Sequence, residues 1–379
     1  MTSRSQASEE SARATATAPE LLGRQGGKRA AVLVDSVAEA FVTGTNETAP
    51  ATSTEGVVKA LDSLGYETSL LPLEPGKAAA WLSEIGAGEF DVVFNLCESV
   101  HGYAAAEHLA AAAVELLGLP LTGARSTTLL HCLDKDRCAA VLQAHGFAVP
   151  AWRRVRQSDA PPEDWDRFAA IVKPAAQDAS NGVHPNSVVR SRAELVDAIE
   201  RLRQHWGDLV IQDFIEGREI NLAIVGNHLL PPAEIDFSDL PGGTPPIVSF
   251  AAKWQPGSPE DAGTRPVCPA PLPAKQAEAL QQLAARAWRL MDGNGYARVD
   301  IRLDADGVPY VIDINPNPDL SPDAGLARQA KVAGWSYERL IEKIVEEALL
   351  TARDGGWKTR DWVTLPPRTN GLRVREPVT

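Results

Sequence analysis

The sequence predicts an α/β (α+β) protein, because buried strands alternate with helices along most of the chain. In the first part, short apolar runs such as "KRAAVLVDS" and "FDVVFNL" are separated by helical segments, which is typical of a parallel sheet covered by helices. A smaller α+β unit follows, with the strand "AAIVKPA" and a helix over 193–205. Near the end, two strands over 297–303 and 309–315 are joined by the turn "DADG", which predicts a hairpin.

Changes in composition along the 379 residues suggest where these units begin and end. Residues 1–27 are rich in Ser, Thr and Ala and poor in large apolar side chains, so we expect a disordered leader. Residues 351–379 show little periodicity and are expected to form a tail. The predicted units between them are an N-terminal α/β domain, a central subdomain and a C-terminal subdomain, over 28–130, 131–212 and 213–350.

The overall charge and the apolar pattern exclude several classes of function. The chain has 50 acidic and 37 basic residues, a net charge of −13, so a role in coating nucleic acid is disfavoured. We find no run of eighteen apolar residues, so no membrane span is expected. The 4 cysteines form no CxxC motif, and we interpret them as reduced thiols, which favours a cytoplasmic protein.

The segment "ARVDIRLDADGVPYVIDINPNP" contains the most specific pattern. Asp313 and Asn315 are two residues apart on one strand and therefore share a face, and Asp300 on the preceding strand joins them if the two strands pair. Two carboxylates and an amide oxygen are ligands that Mg²⁺ takes together with nucleotide phosphates. Arg298 shares the face of Asp300 and could stabilise a developing anion. The alternative is a hairpin with solvated acids, which burial in apolar strands makes costly.

This hairpin resembles the metal-binding end of the ATP-grasp enzymes, and specifically of the D-alanine–D-alanine ligases. The resemblance extends over about residues 28 to 350 and includes "ELLGLPLTG", "LDKDRCAAVLQAHGFAVP", "IVKPAAQDASNGV", "VIQDFIEGREINLAIVG" and "GLARQAKVAGWSYERLIEKIV". It implies an ATP-grasp fold with a Rossmann-like parallel-sheet N-terminal domain, a small central α+β subdomain and a C-terminal subdomain with a mixed sheet. It also implies ATP and Mg²⁺ as cofactors, with two ions expected and Mn²⁺ as an alternative.

The resemblance implies a nucleotide site spread over several segments. Lys135, Lys173 and the loop residue Lys253 match lysines that contact the nucleotide, and Glu219 matches an acid that binds the ribose. The loop 176–182, with Ser180, matches a flap over the phosphates. The segment that lines the adenine corresponds to Gln212, Asp213, Phe214 and Ile215. Lys253 and Arg298 are the residues to which the resemblance assigns catalytic roles.

The amino-acid half departs from the pattern of the D-alanine ligases. The flap serine and the loop tyrosine of that family correspond to Ala179 and Trp254, and the serine that anchors a substrate carboxylate corresponds to Ala324, with Ser321 three residues away. The glycine of the family's "NxxPG" pattern is Asp319. These departures argue against D-alanine as the substrate.

Two residues near a strand end are further substrate candidates. Glu98 and His101 follow the strand "FDVVFNL", and open α/β sheets bind ligands at the carboxyl ends of their strands. His101 also matches a family histidine at the substrate end of the first domain. The predicted substrate residues are therefore Glu98, His101, Trp254 and Ser321.

The resemblance implies an ATP-dependent carboxylate–amine ligase that forms an acyl phosphate and releases ADP and phosphate. The expected partners are a small-molecule carboxylate and an amine, each an amino acid or peptide, and a homodimer is a compatible assembly. An ATP-grasp phosphotransferase and a non-catalytic ATP-binding protein are the alternatives. Neither nucleic acid nor a membrane is an expected partner.

Overall fold

A computed structural model describes residues 27–37 and 52–353 of the chain. The predicted leader, apart from residue 27, and most of the predicted tail lie outside the described residues. The order of strands and helices within the described part confirms the α/β fold class. Among these residues no helix is long and apolar enough to cross a membrane, and all four cysteines are free thiols.

The first sheet is parallel, with strand order β2-β1-β3. Its strands and helices are β1 (Lys28–Asp35), α1 (Ser53–Ser63), β2 (Tyr66–Leu73), α2 (Ala78–Ala87), β3 (Val92–Asn95) and α3 (Glu107–Leu117). Strand β2 continues through Pro72. This is tolerated because β2 is the edge strand, whose outer backbone groups need no partner. Helix α1 begins with a capping box of Thr52 and Glu55.

The central sheet has four strands in the order β4-β7-β5-β6, and all its pairs are antiparallel. Two helices lead into it, and a third packs on it through Leu195, Ile199 and Leu202. These strands and helices are α4 (Ser126–Leu133), α5 (Lys135–Ala144), β4 (Trp152–Val155), β5 (Ala170–Pro174), β6 (Val188–Val189), α6 (Arg192–Trp206) and β7 (Leu209–Asp213).

The third sheet has six strands in the order β11-β10-β8-β12-β13, with β9 paired to β8. Its strands are β8 (Arg218–Val225), β9 (His228–Leu229), β10 (Ala233–Asp236), β11 (Arg265–Val267), β12 (Tyr296–Leu303) and β13 (Pro309–Asn315). Every described pair is antiparallel, so the prediction of a mixed sheet was wrong. The reason is that β8 and β9, and β12 and β13, are joined by short turns, which connect only antiparallel strands.

Five helices accompany this sheet: α7 (Phe250–Trp254), α8 (Pro259–Ala262), α9 (Ala274–Leu290), α10 (Gly325–Val332) and α11 (Tyr337–Arg353). Helix α11 ends at Arg353, three residues into the predicted tail. Its buried side chains Leu340, Ile341 and Ile344 share one apolar cluster with β1 and β3, so the first and third sheets are packed through a common core. The exact boundaries of the three units stay a prediction.

Candidate functional site

One face of β12 and β13 brings together the predicted metal ligands and the predicted catalytic arginine. Residues two apart on a strand share a face, which places Arg298 with Asp300 and Asp313 with Asn315. The antiparallel register then pairs Asp300 with Asp313, and Arg298 with Asn315. Four polar side chains, from positions up to 17 residues apart in sequence, therefore form a compact group.

The carboxylate of Asp300 is held by two neighbours. Arg298 donates from Nε to Oδ1 and from Nη2 to Oδ2, each at 2.8 Å, and Asn221 on β8 donates from Nδ2 to Oδ1 at 2.8 Å. Burial opposes the charged form of Arg298, but the Asp300 carboxylate outweighs it and raises the pKa of the guanidinium. Asn221 was not predicted as a site residue. It shares a strand face with Glu219, two residues earlier, and this spacing could have indicated that Asn221 faces the same site.

Lys135, the first residue of α5, lies between two acids. Its Nζ is 3.2 Å from Oδ1 of Asp178 and 3.3 Å from Oδ2 of Asp313. Burial lowers the pKa of Lys135, but the two carboxylates raise it by more than burial lowers it, so the pKa lies above its usual value. Burial raises the pKa of Asp313, yet Lys135 and Lys173 together bring it below its usual value. The positive charge of Lys135 is therefore largely neutralised by Asp178 and Asp313. Asp178 was not predicted as a partner of Lys135.

Lys173 and Lys253 are differently placed, since neither has an ion-pair partner in the described part of the chain. Burial lowers the pKa of Lys173 to about 8, and the nearby positive charge of Lys135 acts in the same direction. The ammonium of Lys253 lies 5.3 Å from the ring centre of Trp254, within the range of a cation–π contact. Both lysines are therefore available to an anionic ligand.

Glu219 on β8 is already paired. Its Oε2 accepts a hydrogen bond from Nη2 of Arg302 at 2.8 Å, and both residues are buried. Burial raises the pKa of Glu219, with Arg302 acting against it. The Arg302 guanidinium is within 5.4 Å and 5.5 Å of the ring centres of Phe214 and Phe237. Arg302 was not predicted, and it leaves one carboxylate oxygen of Glu219 for a ligand.

The predicted adenine segment leaves the end of β7 and lines the cavity described below. Gln212 is buried within the central sheet, whereas the carboxylate of Asp213 accepts a hydrogen bond from Nε of Arg167 at 2.8 Å. Phe214 and Ile215 follow β7 and contribute apolar surface to the same space. An apolar wall suits a flat aromatic ring.

The flap over 176–182 is fastened to α7, the helix that carries Lys253, and to the residues just before it. Lys253 was expected on a loop and lies in this short helix instead. Ser180 donates from Oγ to the carbonyl oxygen of Val248 at 2.8 Å, and the indole Nε1 of Trp254 donates to the carbonyl oxygen of Ala179 at 2.9 Å. Ala179 and Ser180 have φ values of 56° and 60°, in the left-handed region that few non-glycine residues occupy. The flap therefore lies closed over the residues beneath it.

These segments enclose a cavity of about 510 Å³ between the central and third sheets. It is lined by every predicted nucleotide, metal and catalytic residue: Lys135, Lys173, Ser180, Gln212, Asp213, Phe214, Ile215, Glu219, Lys253, Arg298, Asp300, Asp313 and Asn315. Glu98, His101, Trp254 and Ser321, the predicted substrate residues, do not line it.

These four substrate candidates lie outside the cavity lining, in different surroundings. Trp254 packs on the flap, and Ser321 bonds through Oγ to Asp319 at 2.7 Å. Glu98 has an exposed side chain, yet surrounding protein and the nearby Asp319 raise the pKa of its carboxyl to about 7. Nδ1 of His101 is buried without a hydrogen-bond partner among the described residues.

The donor set on β12 and β13 is compatible with Mg²⁺. Among the described residues no three or more His, Cys, Asp or Glu side chains form a cluster able to hold a metal. Asp300 and Asp313 with the amide oxygen of Asn315 fit an ion that takes its remaining ligands from phosphates and water, as Mg²⁺ usually does. Their role as ligands stays a prediction.

Comparison with known proteins identifies the family. Residues 141–346 match the family described as "D-ala D-ala ligase C-terminus". An uncharacterized protein, y4sG, of Sinorhizobium fredii is 30% identical over 306 residues, covering 78% of this chain and 86% of that protein. A D-alanine–D-alanine ligase of Erythrobacter litoralis is 29% identical over 313 residues, covering 80% and 90%.

A solved structure has the same fold. The D-alanine–D-alanine ligase of Bacillus anthracis, complexed with ATP, superposes with a TM-score of 0.68 at 22% identity, covering 87% of this chain and 100% of that one. The family match spans more than half of the chain, and the architecture agrees with it. The chain therefore belongs to the ATP-grasp family of D-alanine–D-alanine ligase-like proteins.

Proposed function

We propose that this protein is an ATP-dependent ligase that joins a carboxylate to an amine through an acyl phosphate, releasing ADP and phosphate. The observation that carries the proposal is that one cavity contains both Lys173 and Lys253 and the carboxylates of β12 and β13. Neither lysine has an ion-pair partner among the described residues. Cations without an ion-pair partner next to carboxylates suit a ligand that brings both phosphates and a divalent ion.

The positions of the charges support phosphoryl transfer to a carboxylate. Such transfer depends mainly on positioning and on neutralising charge. Lys173 and Lys253 would bind the phosphate oxygens. Arg298, fixed by its two hydrogen bonds to Asp300, would face the oxyanion that forms when the amine attacks the acyl carbon. Mg²⁺ held by Asp300, Asp313 and Asn315 would supply further charge neutralisation, as one ion or as two.

The closed flap supports an intermediate that must be kept from water. An acyl phosphate is hydrolysed readily, so a ligase needs a cover over the reacting atoms. Ser180 and Trp254 fasten the flap through bonds to Val248 and Ala179. A phosphotransferase whose product is stable has less need of such a cover.

The residues around the amino-acid half support a substrate other than D-alanine. Ala179 and Ala324 have no hydroxyl group at positions where the resembling ligases carry serine, and Trp254 fills the space of a tyrosine. We expect little or no D-alanyl-D-alanine at millimolar D-alanine. Efficient synthesis of this dipeptide would contradict this part of the proposal and leave the ligase chemistry intact.

The test is a screen of ATP-dependent ADP release with D- and L-amino acids and small carboxylates, with hydroxylamine present to trap acyl phosphate as hydroxamate. For the substrate found, the carboxylate is labelled with ¹⁸O. We expect label in the released phosphate, because the carboxylate oxygen bonded to phosphorus leaves with it. Unlabelled phosphate, AMP with pyrophosphate, or a stable phosphorylated acceptor would each contradict the mechanism.

A further inference from the structure

Asp319, in the loop between β13 and α10, lines the cavity and has a one-sided hydrogen-bond pattern. Its Oδ1 accepts from Oγ of Ser53 at 2.8 Å, from the backbone N of Ser321 at 2.8 Å and from Oγ of Ser321 at 2.7 Å. Its Oδ2 has no hydrogen-bond partner among the described residues. Burial raises the pKa of Asp319, but the two serines and Lys253 lower it below the usual value. The side chain is therefore an ionised carboxylate with one oxygen available.

Arg328 on α10 is a cation with unused donors in the same cavity. Its Nη1 donates to the backbone carbonyl of Asp323, and the described residues place no carboxylate within 4.0 Å of it. A guanidinium has five N–H donors, so most of them remain. Its side chain is open to the cavity, yet the surrounding protein lowers its pKa in spite of Asp323 and Asp319 nearby. A cation in that state favours an anionic ligand.

The two charges line the same cavity, and no ion pair joins them among the described residues. Arg328 lies four residues after Ala324 and so shares its helix face, while Ala324 itself, the residue that caps α10, has no side-chain hydrogen-bonding group. A ligand that carries an ammonium group and a carboxylate group a few bonds apart would satisfy both side chains. A simple amine would compensate only the charge of Asp319, and a simple carboxylate only that of Arg328.

We propose that Asp319 and Arg328 together bind the nucleophile of the reaction, and that this nucleophile is an amino acid held by its ammonium group on Oδ2 of Asp319 and by its carboxylate on Arg328. This inference rests on the proposed ligase function. Before the attack, the ammonium group releases one proton to solvent. The nitrogen then bonds to the acyl carbon as the bond from that carbon to the phosphate oxygen breaks, and the second proton goes to the departing phosphate.

The experiment compares amide formation with trapping of the acyl phosphate. Each wild-type or variant enzyme receives ATP, a carboxylate that yields hydroxamate, and either an amino acid or its carboxamide as nucleophile; parallel reactions contain hydroxylamine. The ratio of amide to hydroxamate reports the nucleophile site separately from the first half-reaction. The variants are Arg328→Met, Arg328→Lys and Asp319→Asn. The matched controls are Lys331→Met, an exposed cation on the same helix outside the cavity, and Asp306→Asn in the exposed turn of the hairpin.

For Arg328→Met we expect the ratio with the amino acid to fall roughly tenfold or more, because a charge-assisted bond is lost, while the ratio with the carboxamide stays constant. Arg328→Lys should recover part of the loss, and Asp319→Asn should weaken both nucleophiles, which share the ammonium group. The two controls should match the wild type.

Several outcomes would overturn the assignment. Equal ratios in wild type and Arg328→Met would remove Arg328 from the site, and an increased KM for ATP with an unchanged ratio would place it at the phosphates. An unchanged ratio in a folded Asp319→Asn would remove Asp319. Absence of hydroxamate in the wild-type enzyme with every carboxylate would instead contradict the ligase function on which the inference rests.

Discussion

The indole Nε1 of Trp254 donates a hydrogen bond of 2.9 Å to the carbonyl oxygen of Ala179, across 75 residues of sequence. Two further bonds connect the same segments, from Oγ of Ser180 to Val248 and from the backbone N of Phe250 to Val183, each at 2.8 Å. The flap is thus held closed partly by the side chain of Trp254, which belongs to α7 and not to the flap.

Trp254→Phe should loosen the flap, because phenylalanine keeps most of the ring but has no N–H to donate. A neutral hydrogen bond contributes about 1 kcal/mol, so we expect acyl phosphate lost to water to increase about fivefold relative to the amide formed. The measurement is the ratio of ADP released to amide product. Trp335→Phe, outside the cavity, is the control, and an unchanged ratio in Trp254→Phe would show that the bond does not hold the flap.

Asp313→Asn should reduce turnover by about a hundredfold or more, because a neutral amide would hold a divalent cation less tightly than the carboxylate it replaces. The concentration of Mg²⁺ needed for half-maximal activity should rise as well, and this distinguishes loss of a ligand from a general loss of structure. Asp306→Asn, at an exposed position of the hairpin turn, should behave as the wild type. Near-normal activity and Mg²⁺ dependence in folded Asp313→Asn would exclude Asp313 as a ligand.

The lowered pKa of Lys173 predicts how the reaction depends on pH. Burial disfavours its charged form and lowers its pKa to about 8, so the unliganded protein loses this positive charge as the pH rises through that value. If phosphates bind the charged form, kcat/KM for ATP should fall about tenfold per pH unit above pH 8. We expect the fall to be absent up to about pH 10 in Lys173→Arg, since arginine stays charged there. An identical alkaline limb in this variant would assign it to another group.

Local patterns in the sequence were sufficient to predict much of the polar face of the third sheet. Asp313 and Asn315, and likewise Arg298 and Asp300, share faces because strand periodicity is two, and a tight turn set the register between β12 and β13. The same reasoning could have found Asn221, two residues after Glu219. It could not find that Asn221 bonds to Asp300, 79 residues away, because that contact depends on the order of strands in the sheet.

Partners that depend on the tertiary arrangement were harder to predict. Asp178 reaches Lys135 only because the flap folds back over α5, and Arg302 reaches Glu219 only because β8 and β12 are neighbours. The predicted substrate residues failed to line the cavity for a related reason. The positions of Glu98 and His101, which follow β3, depend on how the first sheet packs against the third, and no periodicity within their segment encodes that packing.

Asn317 joins the first sheet to the loop after β13, and its removal should lower stability. Its Nδ2 donates to the carbonyl oxygen of Cys97 at 3.1 Å, and its Oδ1 accepts from the hydroxyl of Tyr296 at 3.0 Å. Asn317 and Tyr296 are both buried, so Asn317→Ala removes the hydrogen-bond partner of the buried Tyr296 hydroxyl and one donor to the Cys97 carbonyl. Each such loss costs about 1–3 kcal/mol, and we therefore expect the free energy of unfolding to fall by about 2–4 kcal/mol.

Urea unfolding followed by tryptophan fluorescence measures this change. Asn186→Ala removes an exposed amide without a side-chain hydrogen bond among the described contacts and is the matched control, with an expected change below about 0.5 kcal/mol. Asn317→Ala combined with Tyr296→Phe removes the orphaned hydroxyl as well, and it should be less destabilised than the sum of the single variants. Additive effects in the double variant would show that Tyr296 and Asn317 act independently, and that the bond between them does not couple the loop after β13 to the strand that carries Arg298 and Asp300.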